Sequence, residues 1–262
     1  ISWGANRTVD EISFYNAVRL MRNQKYSQAV KKLNKLPQEI YEYRIYSKIE
    51  NESENILNDF KEEKISYEDA NNYFDGLKEY VKAKDIEIIE ENLSAANGLN
   101  ESRMQFEKGK NYEKDGNYAK AINAFKKVIE DDENYEKAQK HIKEFTEIVV
   151  KDSYLKLEEY KNNNNYKVAL ELISEIEEAV NDDKINNYRK YFSAVKRGEE
   201  YLKDGARYSY RQTLYNSPNK KSESNYYLAS SGNAKIYSYY VDEDFRVWVK
   251  IKCDGGFYWI IA

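Results

Sequence analysis

The side chains that could support catalysis are few and widely separated in this sequence. Its 262 residues include one histidine, His141, and one cysteine, Cys253. A catalytic nucleophile needs a neighbouring base, and a zinc site needs a cluster of histidine and cysteine ligands, so a single residue of each kind supplies neither in its usual form. The sequence also lacks a glycine-rich phosphate loop. We therefore expect no enzyme activity, no cofactor and no metal.

Among the adjacent carboxylates of the sequence, three pairs serve as examples of groups that could in principle act as acid and base. The pairs are Asp131 with Asp132, Glu177 with Glu178, and Asp182 with Asp183. They lie among lysines near predicted helix ends, where solvated charge is the better interpretation. His141 falls within a helical pattern, and we expect its imidazole to face solvent.

Aromatic residues near the C-terminus are better candidates for a site. They are Tyr215, Tyr237, Tyr239, Trp248, Tyr258 and Trp259. Such side chains supply a large contact area at low entropic cost and line many grooves that bind extended peptides. The alternative is that most of these rings fill the interior of a small β domain.

Four tyrosines are the predicted ligand-binding residues: Tyr215, Tyr258, Tyr237 and Tyr239. Tyr215 and Tyr258 combine a position beside a turn with a polar tip suited to an exposed groove. Tyr237 and Tyr239 are two residues apart in a predicted strand, so we expect them on one face. Trp248 is equally well explained as a core residue.

The elements that must position these aromatics are short strands. After Gly205, aromatic and β-branched residues alternate with polar ones, and clusters of serine, asparagine, aspartate and glycine separate the runs. The predicted strands are 208–215, 234–239, 246–252 and 257–261. We therefore expect a helical domain over 1–205 and a small all-β domain over 206–262. A domain of that size buries only about 60% of its unfolded surface, so it should pack on the last helices.

Residues 208–262 resemble the bacterial Src-homology-3-like (SH3-like) domain. The similar stretches are 214–218, 248–251 and 254–260. The family closes with a glycine before its last tryptophan, a place that Tyr258 occupies here. The resemblance implies a small barrel of a kind that in bacteria mostly occurs in envelope proteins, where it binds cell-wall peptides or other extracellular ligands. Another small barrel, or a strand ribbon packed on the helices, is the alternative.

The first two thirds of the chain carry a repeated pattern, a tyrosine followed three residues later by alanine. The pairs are Tyr26 with Ala29, Tyr67 with Ala70, Tyr118 with Ala121, and Tyr166 with Ala169. Large apolar residues follow each alanine after four and seven positions. These spacings fall on one helix face, so each copy predicts the start of an amphipathic helix with a small residue at its closest contact.

The third copy resembles the tetratricopeptide repeat (TPR). The residues that match the family's packing positions are Gly109, Tyr112, Gly116, Tyr118, Ala121, Phe125 and Val128. Glu133 replaces the family's usual proline. The resemblance is clearest over 102–135, extends to 150–184 and 10–40, and is weakest over 53–80. It implies a TPR-like array of α-hairpins whose groove would bind a protein or peptide, with an irregular helical bundle as the alternative.

The net charge and the first residues of the sequence give predictions about the binding partner and the cellular location. The formal net charge of −4 lacks the basic excess that indicates nucleic acid, whereas the positive excess of residues 201–262 mildly favours an anionic partner. Ile1 and the tryptophan that follows at position 3 are typical of the end of a membrane helix, so we expect a possible anchor upstream; an arbitrary fragment start is the alternative. The expected location is extracytoplasmic, in the cell envelope of a Gram-positive-like bacterium, with the cytoplasm as the alternative.

Together these patterns predict a mostly α protein with a small all-β C-terminal domain that acts as a non-catalytic binding scaffold at the bacterial cell envelope. The helical groove would hold a protein partner, and the β domain would bind cell-wall or peptide ligand. One alternative is a cytosolic, peptide-responsive TPR regulator. Another is the non-catalytic part of a wall-modifying enzyme.

Enlarging the small residue of the clearest hairpin tests the repeat pattern. Ala121→Leu should overpack the helix pair and lower the free energy of unfolding by roughly 1 to 3 kcal/mol. Urea unfolding of the variant beside the parent chain measures the change, and an unchanged midpoint would contradict the predicted close contact.

Overall fold

The structure is a computed structural model that describes residues 2–33, 35–36, 46–78 and 86–262. In these ranges nine helices precede seven strands. The helices are α1 (Ser2–Arg22), α2 (Tyr26–Leu33), α3 (Tyr46–Lys61), α4 (Tyr67–Lys78), α5 (Ile86–Lys114), α6 (Tyr118–Phe125), α7 (Tyr135–Asn162), α8 (Tyr166–Ile176) and α9 (Asp183–Asp204). The strands are β1 (Ala206–Tyr208), β2 (Thr213–Tyr215), β3 (Glu223–Tyr227), β4 (Gly232–Ala234), β5 (Ser238–Val241), β6 (Val247–Cys253) and β7 (Gly256–Ile261). The predicted order of a mostly helical chain followed by a β region is confirmed.

Each tyrosine of the repeated pattern is the first residue of a short helix, namely α2, α4, α6 or α8. The alanines Ala29, Ala70, Ala121 and Ala169 are all fully buried. The apolar residues four positions later are buried as well: Leu33, Phe74, Phe125 and Ile173. The predicted helical face is therefore confirmed in all four copies. Ile1, on which the expected anchor rests, lies outside the described residues.

The four turns before these helices share one backbone geometry. Each contains a residue in the left-handed region, namely Gln24, Glu63, Gly116 or Asn164. The next residue donates its amide to the carbonyl five positions back, as Asn117 does to Tyr112 at 2.8 Å. This bond closes the preceding helix end and satisfies a carbonyl that would otherwise lack a partner. Asn164 confirms that asparagine stands in for glycine in the last of these turns.

Gly109 allows α5 and α6 to approach closely. A Cβ built on Gly109 would lie 2.6 Å from a carbon of the Phe125 ring. That ring is fully buried and stacks on the imidazole of His141, with centroids 5.0 Å apart. The expectation that His141 faces solvent is therefore wrong. Its imidazole is half-buried because it packs between Phe125 and Phe145.

Contacts between residues divide the chain into two compact units. The first contains 1–108 with 127–138, and the second contains 109–126 with 139–262. In the first unit, α1 packs on α2 and α4, and α3 packs on α4. Arg22 links these helices because its Nε donates to Glu52 Oε1 at 2.8 Å while its carbonyl accepts the Tyr73 hydroxyl.

The interpretation of the first acidic pair as solvated charge is wrong for Asp132. Its side chain is only 3% exposed, and Ser102 Oγ donates to its Oδ2 at 2.6 Å. The other oxygen accepts the amide of Asn134 at 2.9 Å. Asp132 is thus a buried turn-forming residue, whereas its neighbour Asp131 remains exposed.

The second unit contains an antiparallel sheet of five strands in the order β3-β2-β7-β6-β5, and β1 pairs separately with β4. No closed barrel forms among the described strands. The predicted strand 208–215 divides at Arg211, which has a positive φ, and 234–239 divides into the ends of β4 and β5. Helix gives way to strand at Gly205, as predicted, while the division into domains at that residue stays a prediction.

Helix α9 packs on β5 and β6, as the small size of the β region leads one to expect. A Cβ on Gly198 would lie 2.3 Å from a ring carbon of Tyr239, so this glycine allows the aromatic ring to lie directly on the helix. The Tyr239 hydroxyl also donates to Glu199 Oε1 at 2.7 Å. The sheet is therefore fixed to the helix by both apolar contact and a hydrogen bond.

Within the described ranges, no helix combines the length and the apolar character that crossing a bilayer requires.

Two glycines of α5 make a matched pair for testing the close approach. Gly109→Ala should destabilise the chain by about 1 kcal/mol, because the enclosed Phe125 ring cannot retreat from the new methyl group. Gly98 has no atom within 4 Å of an added Cβ, so Gly98→Ala should stabilise the same helix by about 0.5 to 1 kcal/mol. Urea unfolding of both variants measures the difference. Equal shifts in the same direction would show that the contact between Gly109 and Phe125 is unimportant.

Candidate functional site

Alternation along the strands divides the five-stranded sheet into two faces. The inner face carries Leu214, Val249, Ile251 and Ile260, each at most 2% exposed, in one cluster with Ala194 of α9. Residues one position away point to the opposite side. Cross-strand pairs therefore bring Tyr215, Trp259 and Lys250 together on an outer face.

Aromatic rings around one half-buried lysine form the exposed part of this face. Lys250 Nζ lies 5.3 Å from the ring centroid of Phe257 and 5.8 Å from that of Trp259. Tyr237 packs edge-on against Phe257 with centroids 5.0 Å apart. Phe257 is 48% exposed and Tyr237 is 45% exposed. We call Tyr215, Tyr237, Lys250, Phe257 and Trp259 the outer aromatic face.

Trp248 lies two residues before Lys250 on β6, on the same side of the sheet, and is fully buried. The Tyr215 ring meets it edge-on at 5.0 Å, and its indole N–H donates to Asp242 Oδ2 at 2.8 Å. Burial raises the pKa of Asp242, but the bonds from Trp248 and the Arg246 amide, together with the Arg246 charge, hold that pKa below its ordinary value. The Trp248 ring is thus buried, and it is a structural residue of this part of the sheet.

The structure separates the four predicted tyrosines into two pairs. Tyr215 and Tyr237 belong to the outer aromatic face, whereas Tyr258 and Tyr239 pack with the inner cluster. The expectation that Tyr237 and Tyr239 share a face is wrong because β5 begins at Ser238, so Tyr237 does not follow the alternation of the strand. Ligand binding by these four residues stays a prediction.

Sequence reasoning missed Phe257 and Lys250 as neighbours of the predicted residues. The sequence signal that could have found them is the adjacent pair Asp254 and Gly255. Both residues have positive φ and join β6 to β7 in a two-residue loop. That loop length sets the register. It places Lys250 opposite Trp259 and Phe257 opposite Lys252.

Three tyrosines of the second unit donate their hydroxyls to carboxylates. Tyr154 donates to Asp182 at 2.6 Å, Tyr188 donates to Glu158, and Tyr239 donates to Glu199. Burial and then these bonds raise the pKa of each phenol, to about 12 for Tyr154.

Asp182 has a second structural role at the start of α9. Its Oδ1 also accepts the amides of Lys184 at 2.9 Å and Ile185 at 3.0 Å, which caps the helix. The solvated interpretation is therefore wrong for this member of the third acidic pair. In the described part of the chain, no three acidic, histidine or cysteine side chains converge as metal ligands.

Comparison of the chain with family models, curated proteins and solved structures finds no match. The likenesses to the TPR and SH3-like families therefore rest on the residues named above.

The phenol of Tyr154 should make the protein's stability depend on alkaline pH. A raised pKa means that folding favours the neutral phenol, so its contribution is complete below the unfolded pKa of about 10 and is lost as pH rises through about 12. Urea unfolding from pH 8 to 12 should therefore show a shallower decline for Tyr154→Phe than for the parent. Tyr226→Phe, whose ring is 64% exposed, is the control and should follow the parent curve. Parallel curves for all three proteins would contradict the role of Tyr154.

Proposed function

We propose that this protein is a non-catalytic binding protein of the bacterial cell envelope. Its helical hairpins hold a protein partner, and its β region binds a cell-wall or peptide ligand through the outer aromatic face. The observation that carries this proposal is the cluster of half-exposed rings around Lys250.

The exposure of these rings favours a ligand over a purely structural role. Phe257 and Tyr237 each expose nearly half of their surface to water, whereas the apolar residues of the inner face are buried. Contiguous exposed apolar patches are typical of interaction surfaces. Rings can stack on sugar or peptide groups, while Lys250 can bind a carboxylate.

The charge of this part of the chain supports the same ligand class. Residues 201–262 carry more lysine and arginine than aspartate and glutamate, whereas the chain as a whole has a formal net charge of −4. An anionic wall polymer or an acidic peptide would be attracted to the basic end, most strongly at low salt.

The binding role of the helices rests on their repeated packing. Four buried alanines and four turns of shared geometry support a TPR-like interpretation. The antiparallel sheet is compatible with an SH3-like relative, although its open order of strands and Tyr258 before the last tryptophan depart from that pattern. The proposed envelope location rests on the resemblance to the SH3-like family.

Sedimentation of the full chain with purified Gram-positive wall sacculi tests the proposal. The parent should sediment with the sacculi, and Tyr237→Ala/Phe257→Ala should weaken this binding about tenfold or more, since central aromatic residues dominate such surfaces. The control Tyr210→Ala/Leu155→Ala removes two apolar side chains that are 58% and 68% exposed and lie outside the five-stranded sheet. It should bind as the parent does.

Circular dichroism would establish that both double variants remain folded. Failure of the folded parent to bind either sacculi or their soluble digestion fragments would overturn the wall ligand. Equal binding by the two double variants would overturn the assignment to the outer aromatic face.

A further inference from the structure

A separate cleft of about 520 Å³ opens within the second unit. Its walls come from the end of α7, the first half of α9 and the turn between β5 and β6. Helix α9 contributes Lys184, Asn187, Tyr188 and Tyr191, a spacing that places them on one face. The volume lies within the range of small-molecule sites in proteins.

Aromatic rings form the apolar part of this cleft. Tyr188 is only 7% exposed, and the half-buried rings of Tyr191 and Phe245 lie beside it. Phe245 has a φ of 61°, a left-handed conformation that is costly for a bulky side chain.

The turn holds Phe245 in place because Asp242 Oδ1 accepts the amides of Asp244 at 3.0 Å and Arg246 at 2.8 Å. Glycine would occupy this position without strain, yet the chain has a ring that lines the cleft. Strain of this kind gathers at ligand sites.

Two lysines of the cleft are available to an anionic group. Lys161 Nζ lies 5.2 Å from the ring centroid of Tyr191, and Lys184 Nζ lies 4.1 Å from that of Tyr154. These rings hold the ammonium groups in position without neutralising them. Neither lysine lies within ion-pair distance of a carboxylate of the described residues, although the charge of Lys184 helps to lower the pKa of Asp182.

The carboxylates of the cleft differ in what they already bind. Asp242 is occupied by Trp248 and Arg246, and Glu158 accepts one bond from Tyr188. Glu243 is exposed on the turn. The cleft therefore offers two cationic groups and two exposed carboxylates around an aromatic floor, and one of these carboxylates, Glu158, already accepts a hydrogen bond from Tyr188.

We propose that this cleft binds a short peptide with free termini, a ligand class that goes beyond the proposed function of the outer aromatic face. The peptide carboxylate pairs with one of the two lysines, whose ring contacts hold them about two helical turns apart along α7 and α9. An apolar side chain packs on Tyr188, Tyr191 and Phe245, and the amino group pairs with Glu243 and Glu158. A zwitterion matches this arrangement, because an anion alone would meet both glutamates and a cation alone would meet both lysines.

The Trp248 indole gives a local signal for the test. Its N–H donates to Asp242, which lines the cleft, so a ligand there should shift this indole resonance in a ¹⁵N-correlated NMR spectrum of the full chain. Trp248→Phe assigns the resonance among the three tryptophans of the chain. The probe is the tripeptide alanyl-phenylalanyl-alanine, compared with its N-acetylated and C-amidated forms.

Capping either terminus should weaken binding at least about threefold, the effect of losing one exposed ion pair. Lys161→Gln/Lys184→Gln should weaken the free and N-acetylated peptides but leave the C-amide unchanged. Glu243→Gln should weaken the free peptide and leave the N-acetylated form unchanged. Lys203→Gln, an exposed lysine in the last turn of α9 and outside the cleft, is the matched control and should change nothing.

Each part of the proposal is contradicted by a different result. No shift of the Trp248 resonance up to the solubility limit of the peptide would overturn the site, and equal affinity for the capped forms would overturn zwitterion recognition. Loss of binding on C-amidation alone would overturn the role of Glu243. Tyr237→Ala/Phe257→Ala should bind the tripeptide as the parent does, so sacculus binding and cleft binding can fail independently.

Discussion

The structure depends on helices and strands that approach closely where a side chain is minimal or absent. Gly109 brings α5 against the Phe125 ring, and Gly198 brings α9 against the Tyr239 ring. Dispersion contacts lose much of their energy when a gap opens, so such close approaches hold the surrounding rings in defined positions. The same device therefore shapes the helical hairpins and fixes the sheet on its last helix.

The hairpins could be predicted because their signals are local. The spacing of Tyr118, Ala121 and Phe125 defines a helical face by itself, and Gly116 marks a turn by its residue type. The turn at Glu63 could not be found this way, since glutamate has no preference for positive φ. His141 shows the same limit, because its burial depends on two rings that the helical pattern of its own segment does not reveal.

The four predicted strand segments overlap six of the seven strands, whereas β3 and the faces of the sheet could not be predicted. A one-residue difference in where β5 begins was enough to place Tyr237 and Tyr239 on opposite sides. The cleft could not be predicted at all, because its residues come from two helices and a turn that are far apart in sequence. Only the fold brings Lys161, Lys184 and Glu243 to one opening.

The contact between α9 and the sheet also limits how the protein could have been assembled during evolution. Ala194, Gly198 and Glu199 all precede Gly205, yet each touches or bonds the inner side of the sheet. A gene fusion that carried only residues after Gly205 into a new host would leave those apolar strands uncovered. A segment inherited as a folded unit must therefore include at least α9 together with the seven strands.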